Sequence, residues 1–224
     1  MEIRNQEEVL VELLDLGGKR VLDVGCGTGG LVRLMTRRGA RVWGLDCNAG
    51  QMEVALAAGA AGDETYLEGV AGDLPFGGGA MDIVVFFNSL HHVDDPARAL
   101  AEAARVLGPV GLAYIAEPLA EGSHYEMGRA VDDEADVRAR AYEAILAAAA
   151  VGLKGQREVT YTHVRRHESF EAYRENTTRI NPGRRAAFRA DGTALRANFM
   201  KHGRETAAGW EFDQPIRVNL LGKG

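Results

Sequence analysis

Val21-Leu22-Asp23-Val24-Gly25-Cys26-Gly27-Thr28-Gly29-Gly30 decides how this chain is read. Val21, Leu22 and Val24 form a short buried-strand pattern, and the glycines behind them allow a tight turn with a backbone open to close approach. Helix-period residues Leu31, Leu34 and Met35 follow, and Gly39 sits where that helix stops. Upstream, Glu7 to Leu16 reads as a helix closing at Gly17-Gly18. Downstream, Ala40 to Leu45 is a second apolar run ending on Asp46, and Asn48 can cap a helix from Ala49 to Ala58. Thr65 to Val70 reads as a third strand, and Met81 to Phe87 as a fourth, too continuously apolar to be half exposed. Asp94-Asp95-Pro96 opens a helix to Leu107, and Val110 to Ala116 is a fifth strand. Strands alternating with helices at this spacing predict a parallel sheet with right-handed crossovers over about the first 120 residues.

The remainder changes character. Asp132 to Ala150 reads as a long alanine-rich helix, and Glu158 to Val164 alternates like a strand. Ser169 to Thr206 looks mainly helical, broken near Asn181-Pro182-Gly183, and Trp210 to Leu220 alternates like a strand again. Two late strands flanking helices would pair as an antiparallel edge.

Composition narrows the classes. With 224 residues, 46% hydrophobic and 26% charged, the chain is too apolar for disorder and suits one domain with a modest cap. A net charge of −6 disfavours a general nucleic-acid binder. Cys26 and Cys47 are the only cysteines, which excludes a disulfide framework and a cysteine-rich zinc site. The apolar run Ala144 to Leu153 is about half of the ~20 residues that a membrane-spanning helix needs. No signal-peptide pattern opens the sequence, so a cytoplasmic location is expected.

Two kinds of cofactor fit a glycine loop with an acid twenty-one residues beyond Gly25. Gly25, Gly27 and Gly30 satisfy the dinucleotide pattern, with Asp46 placed to hold a ribose. Asp23 separates the two. A carboxylate beside the loop repels an anionic pyrophosphate but attracts the ammonium and sulfonium of S-adenosylmethionine. The alternative for Asp23 is a plain hydrogen bond to loop amides.

The whole string resembles motif I of the class I S-adenosylmethionine-dependent methyltransferases. Leu74-Pro75-Phe76 followed by Met81-Asp82-Ile83-Val84-Val85, and Asn88-Ser89-Leu90-His91-His92-Val93, resemble the type 11 (ubiquinone/menaquinone-biosynthesis-like) subgroup. The likeness covers about residues 18 to 118. It implies a Rossmann-like, doubly wound α/β sheet of seven strands in order 3-2-1-4-5-7-6, the last antiparallel. It implies a single class I domain over residues 1–224. The core would be about 18–118 with late strands at about 157–164 and 210–221. A helical lid at about 119–156 and 169–206 would lie over the carboxyl edge.

Carried over by resemblance, Gly25 and Gly27 contact the cofactor, Asp23 serves its amino-acid end and Asp46 its ribose. Cys47 and Met52 would line the adenine, though a small buried cysteine and a core methionine are equally ordinary readings. The usual adenine-reading acid is replaced by Val70, so the Ala71 amide would take that role, with Asp73 the other choice. Asn88 would hold the ammonium. His91, His92 and Glu117 stand where a general base is expected, each also open to a purely structural role. A zinc site from the adjacent histidines is not expected, because neighbours on a strand point to opposite faces.

The expected reaction is methyl transfer to a small-molecule acceptor. A catalytically silent binding module and an NAD-dependent oxidoreductase are the alternatives. The stretch from Lys154 to Arg204 carries twelve basic residues, including Arg165-Arg166 and Arg184-Arg185. That suits an anionic acceptor, although a solvated helical face is the ordinary explanation of such a run.

Overall fold

The computed structural model describes residues 1–224. The first strand, β1 (Arg20–Val24), pairs in parallel with β2 (Arg41–Asp46) on one side and β4 (Met81–Phe87) on the other, with Leu22 opposite Trp43 and Val84. β3 (Thr65–Glu68) extends the sheet beyond β2, and β5 (Leu107–Pro118) beyond β4. The full order is β3-β2-β1-β4-β5-β8-β6, where β6 is Leu153–His167 and β8 is Gly209–Lys223. This is the expected doubly wound order, with one correction. A short eighth strand, β7 (Arg204–Thr206), lies off the path and pairs antiparallel with β8. The helical stretch expected from Ser169 to Thr206 therefore ends in a strand.

The last long strand runs against its neighbours. Lys223 at its end bonds the carbonyl of Leu107 at the start of β5, and Gly224 donates to Gly152 just before β6. Leu119, just beyond β5, meets Pro215 in the middle of β8.

The helices are α1 (Gln6–Leu13), α2 (Gly30–Arg37), α3 (Ala49–Ala57), α4 (Pro96–Val106), α5 (Ser123–Gly128), α6 (Ala135–Leu146), α7 (Phe170–Ile180) and α8 (Arg185–His202). Their starts follow local chemistry. The Asn48 side chain accepts from the Gln51 amide, Asp95 from Arg98 with Pro96 in the first turn, and Ser169 from Ala172. Asp191 has non-helical backbone inside α8 and accepts from the Ala194 amide, which restarts the helix after a kink.

The chain forms two compact units. The larger comprises Gln6–Glu117, Ala139–Val159 and Arg217–Gly224, and the smaller Met1–Asn5, Pro118–Arg138 and Thr160–Ile216. In the larger unit, Leu22, Val24, Leu45, Val84, Phe86, Ala113 and Ile115 from the strands pack with Leu100, Ala103, Ala141 and Ile145 from the helices. Covering a parallel sheet with helices is what makes its strands continuously apolar. The smaller unit concentrates the few aromatics of the chain: Phe170, Tyr173, Phe199 and Phe212 form its core, with Phe188 and Trp210 against them. No helix is long and apolar enough to cross a membrane.

Candidate functional site

Within the larger unit, β1, β2 and β4 end side by side, where an open α/β sheet offers a crevice for ligands. Gly25 and Gly27 turn the chain out of β1 with φ of +76° and +54°. A Cβ on Gly25 would lie 2.5 Å from the Cβ of Ser89, so only glycine fits between the two strand ends. Ser89 is itself fixed, because its hydroxyl donates to the Val24 carbonyl at 2.6 Å. The loop amides converge on Asp46. One carboxylate oxygen accepts from Gly27 N at 2.8 Å and the other from Asn48 N at 2.9 Å. Each oxygen keeps a second lone pair for a further donor.

Asp23 is 1% exposed, and its Oδ1 has no hydrogen-bond partner. Burial, reinforced by the nearby Asp46 charge, pushes its carboxyl up to about 7. The plain reading, in which this oxygen bonds loop amides, is therefore corrected. An orphaned carboxylate beside a glycine loop is an acceptor waiting for a cation or a donor.

The remaining expected residues divide. Met52 is buried in α3, and its sulfur lies 4.0 Å from the thiol of Cys26, not Cys47. Cys47 is exposed, while Cys26 is buried and its thiol is pushed up by desolvation and by Asp23 and Asp46. β3 stops at Glu68 instead of Val70. Val70 is exposed, Ala71 packs against the core, and a turn closed by Asp73 N to Val70 O leaves Asp73 exposed.

Asn88 is the only non-glycine residue with positive φ, +56°, and its amide bonds the Ala116 carbonyl. That left-handed residue turns the chain from β4 into the 3₁₀ turn Leu90–His92. The histidines are thus not on a strand, and the expectation that they face apart is corrected: their rings lie 3.9 Å centroid to centroid. His91 is buried and its Nδ1 pairs with Glu117 Oε2, while His92 is exposed. The other oxygen of Glu117 accepts from the amides of Ser89 and Leu90 at 3.2 and 2.8 Å. One carboxylate from the end of β5 therefore sets both the backbone of the turn and the ring of His91.

Several supporting residues carried no local signal. Arg33 spans three partners, the carbonyls of Thr28 and Ala55 and the hydroxyl of Tyr66, tying the glycine loop to α3 and β3. Along one face of α4, Arg98 bonds the Gly72 carbonyl and Glu102 accepts from Leu74 N. Arg105 bonds the carbonyls of Leu74 and Phe76. The 98, 102, 105 spacing is a same-face polar stripe, the one clue available in the sequence.

Residues 22–115 match the family model described as a methyltransferase domain. The ubiquinone biosynthesis O-methyltransferase of Pseudomonas aeruginosa is 36% identical over 110 residues, covering 46% of this chain and 46% of that protein. The malonyl-[acyl-carrier protein] O-methyltransferase of Serratia marcescens is 38% identical over 141 residues, covering 60% of this chain and 54% of that protein. The chain thus spans about half the length of the curated relatives it matches. The YcgJ protein of Bacillus subtilis superposes with a TM-score of 0.70 at 19% identity over 97% of both chains, a likeness of fold.

Proposed function

We propose that this chain, whose residues 22–115 match the methyltransferase-domain family model, is a class I methyltransferase of the type 11 group that binds S-adenosylmethionine and methylates an oxygen of a small-molecule acceptor. The observation that carries the reading is the orphaned Oδ1 of buried Asp23 beside a glycine turn with no room for a side chain at Gly25. The turn leaves backbone open to a ligand, and the carboxylate selects a cationic one over an anionic pyrophosphate.

In this reading Asp23 and Asn88 hold the amino-acid end, Gly25 and Gly27 lie against the cofactor, and Asp46 receives the ribose hydroxyls on its free lone pairs. Met52, with Cys26 behind it, backs the adenine, and Cys47 stands at the rim. Val70 and Ala71 border the base through their backbone, with Asp73 at the outer edge of the same turn. Bound there, S-adenosylmethionine supplies an activated methyl group on a sulfonium. The residues of the chain supply position and a proton acceptor. Orientation of reactants in a water-poor site is the largest contribution such residues can make. Glu117 fixes one ring nitrogen of His91, which leaves the imidazole oriented to take the proton of an acceptor hydroxyl. His92, packed on that ring and exposed, is the alternative acceptor of the proton. Glu117 acts as a positioning residue.

Both O-methyltransferases above support an oxygen acceptor. Calorimetric titration with S-adenosylhomocysteine is the test, with NAD as the comparison. Saturable binding of the first is expected, and binding of NAD alone would overturn the proposal. A tight S-adenosylhomocysteine complex that transfers no methyl to any acceptor in a broad hydroxyl-compound screen would reduce it to a binding module.

A further inference from the structure

In the smaller unit, six arginines have an acidic partner. Arg129 pairs with Glu126, Arg138 with Glu134, Arg166 and Arg204 with Glu211, Arg184 with Asp132, and Arg196 with Glu171. Arg174, Arg179, Arg185 and Arg189 have no such pair but are exposed, whereas Arg165 is part-buried. Its side chain, on β6, is more shielded than the exposed Arg129, Arg166 and Arg204, yet no carboxylate pairs with it. Desolvation alone acts on it, pushing its guanidinium below the ordinary arginine range.

Its one protein bond runs from Nε to Oε1 of Gln214 at 3.0 Å. Gln214 is 4% exposed, and its amide nitrogen lies 3.4 Å from Nδ1 of His124. His124 Nε2 in turn meets His167 Nε2 at 3.5 Å, with the two rings stacked at 18°. Hydrogens assigned along this chain run one way, from Arg165 through Gln214 and His124 to His167. The four N–H groups on the terminal nitrogens of Arg165 are left unused. An uncompensated guanidinium in shielded surroundings is costly unless an anion completes it.

We propose that Arg165, aligned by Gln214 and flanked by His124 and His167, is a binding site for the carboxylate of a small molecule. The fork of a guanidinium matches the two oxygens of a carboxylate in one plane. Charge selects the class further. Burial keeps His124 well below its ordinary range and His167 at about 4, so both rings are neutral near pH 7. The site then carries a single positive charge, which balances a monoanion better than a phosphate dianion. Of the other groups acting on His124, Arg138 is neutralised by Glu134, and His163 is likewise shielded and shifted down. The inference is independent of methyl transfer, since it requires carboxylate binding with or without a methyl donor.

The test is a titration of the full chain with sodium acetate, followed through the imidazole nitrogens of His124 and His167 by NMR. Sodium chloride at equal ionic strength and inorganic phosphate are the comparisons. Saturable shifts with acetate that chloride does not reproduce are expected. They should vanish in Arg165→Gln and persist in Arg174→Gln, a change at an exposed arginine of α7. Absence of saturation, equal shifts with chloride, or persistence in folded Arg165→Gln would overturn the site. Tighter binding of phosphate than acetate would overturn the carboxylate assignment. If Arg165→Gln does not fold, the wild-type comparison of acetate with chloride decides.

Discussion

Gly25 and Ser89, sixty-four positions apart, meet so closely that a single added methyl on the glycine would overlap the serine Cβ at 2.5 Å. Ser89 cannot step aside without breaking its bond to the Val24 carbonyl. Gly25→Ala therefore combines a left-handed alanine, about 1–2 kcal/mol, with an overpacked contact, about 1–3 kcal/mol. Urea denaturation should show that loss, and S-adenosylhomocysteine affinity should fall at least tenfold in whatever folded protein remains. Against Ser89→Gly alone, which already lacks the hydroxyl bond to the Val24 carbonyl, adding Gly25→Ala should cost only the backbone part. Full stability in Gly25→Ala alone would contradict the close approach.

Asp46 joins the glycine loop to the start of α3 through two charge-assisted bonds. Asp46→Ala should weaken cofactor binding by roughly 1.5–3 kcal/mol, the range for hydrogen bonds to a charged group. A strand-end carboxylate fills no core, so the fold should persist by circular dichroism. Unchanged calorimetric affinity in the folded variant would contradict the ribose role.

Glu117 offers a way to separate structure from chemistry. Glu117→Gln keeps an oxygen for the Ser89 and Leu90 amides but loses the negative partner of His91. Its melting temperature and S-adenosylhomocysteine affinity should stay near wild type while kcat falls, in the range of ~10²–10⁴ if His91 accepts the proton. Glu117→Ala should in addition lose stability, about 1–3 kcal/mol for each stranded amide. Full turnover of Glu117→Gln, His91→Ala and His92→Ala alike would leave positioning as the whole source of rate.

How far these elements could be read in advance followed from where their stability comes from. β1, β2 and β4 are legible because a parallel strand covered on both faces must be short and apolar throughout, and Gly, Asp and Pro mark its ends. β7 was not, because Arg-Glu-Thr carries no strand pattern; it is held by its partner, with Arg204 paired to Glu211 across the ladder. β6 and β8 run longer than their alternating centres because polar ends such as Lys154 and Lys223 still join the ladder. In the site, Asp23 and Gly25 could be found from order along the chain alone. Arg33 and Ser89 could not, since each serves a backbone carbonyl and no side-chain pattern announces it, while Arg105 showed only as part of the 98, 102, 105 stripe. That Cys26 is buried beside Met52 while Cys47 is exposed was not legible either, because position in the sequence says nothing about which side of a loop packs inward.

Asp23 makes cofactor binding depend on pH in a definite direction. Unfolded, its carboxyl ionises near 3.8; folded and without a ligand it is held up at about 7. Between those values the folded chain keeps a proton that the unfolded chain has released. Its favourable contribution to stability is complete below about pH 4 and is lost as pH rises through about 7. An ammonium beside the carboxylate reverses the cause of the shift and drives the proton off. Affinity for S-adenosylhomocysteine should therefore increase from pH 5 to about 7, approaching tenfold per pH unit, with up to one proton released per molecule bound. Calorimetry in two buffers of different ionisation enthalpy measures that proton directly. Asp23→Asn should bind more weakly at pH 7 and lose both the proton release and the slope. A flat affinity profile in the wild-type protein over this range would show that Asp23 does not face the ammonium.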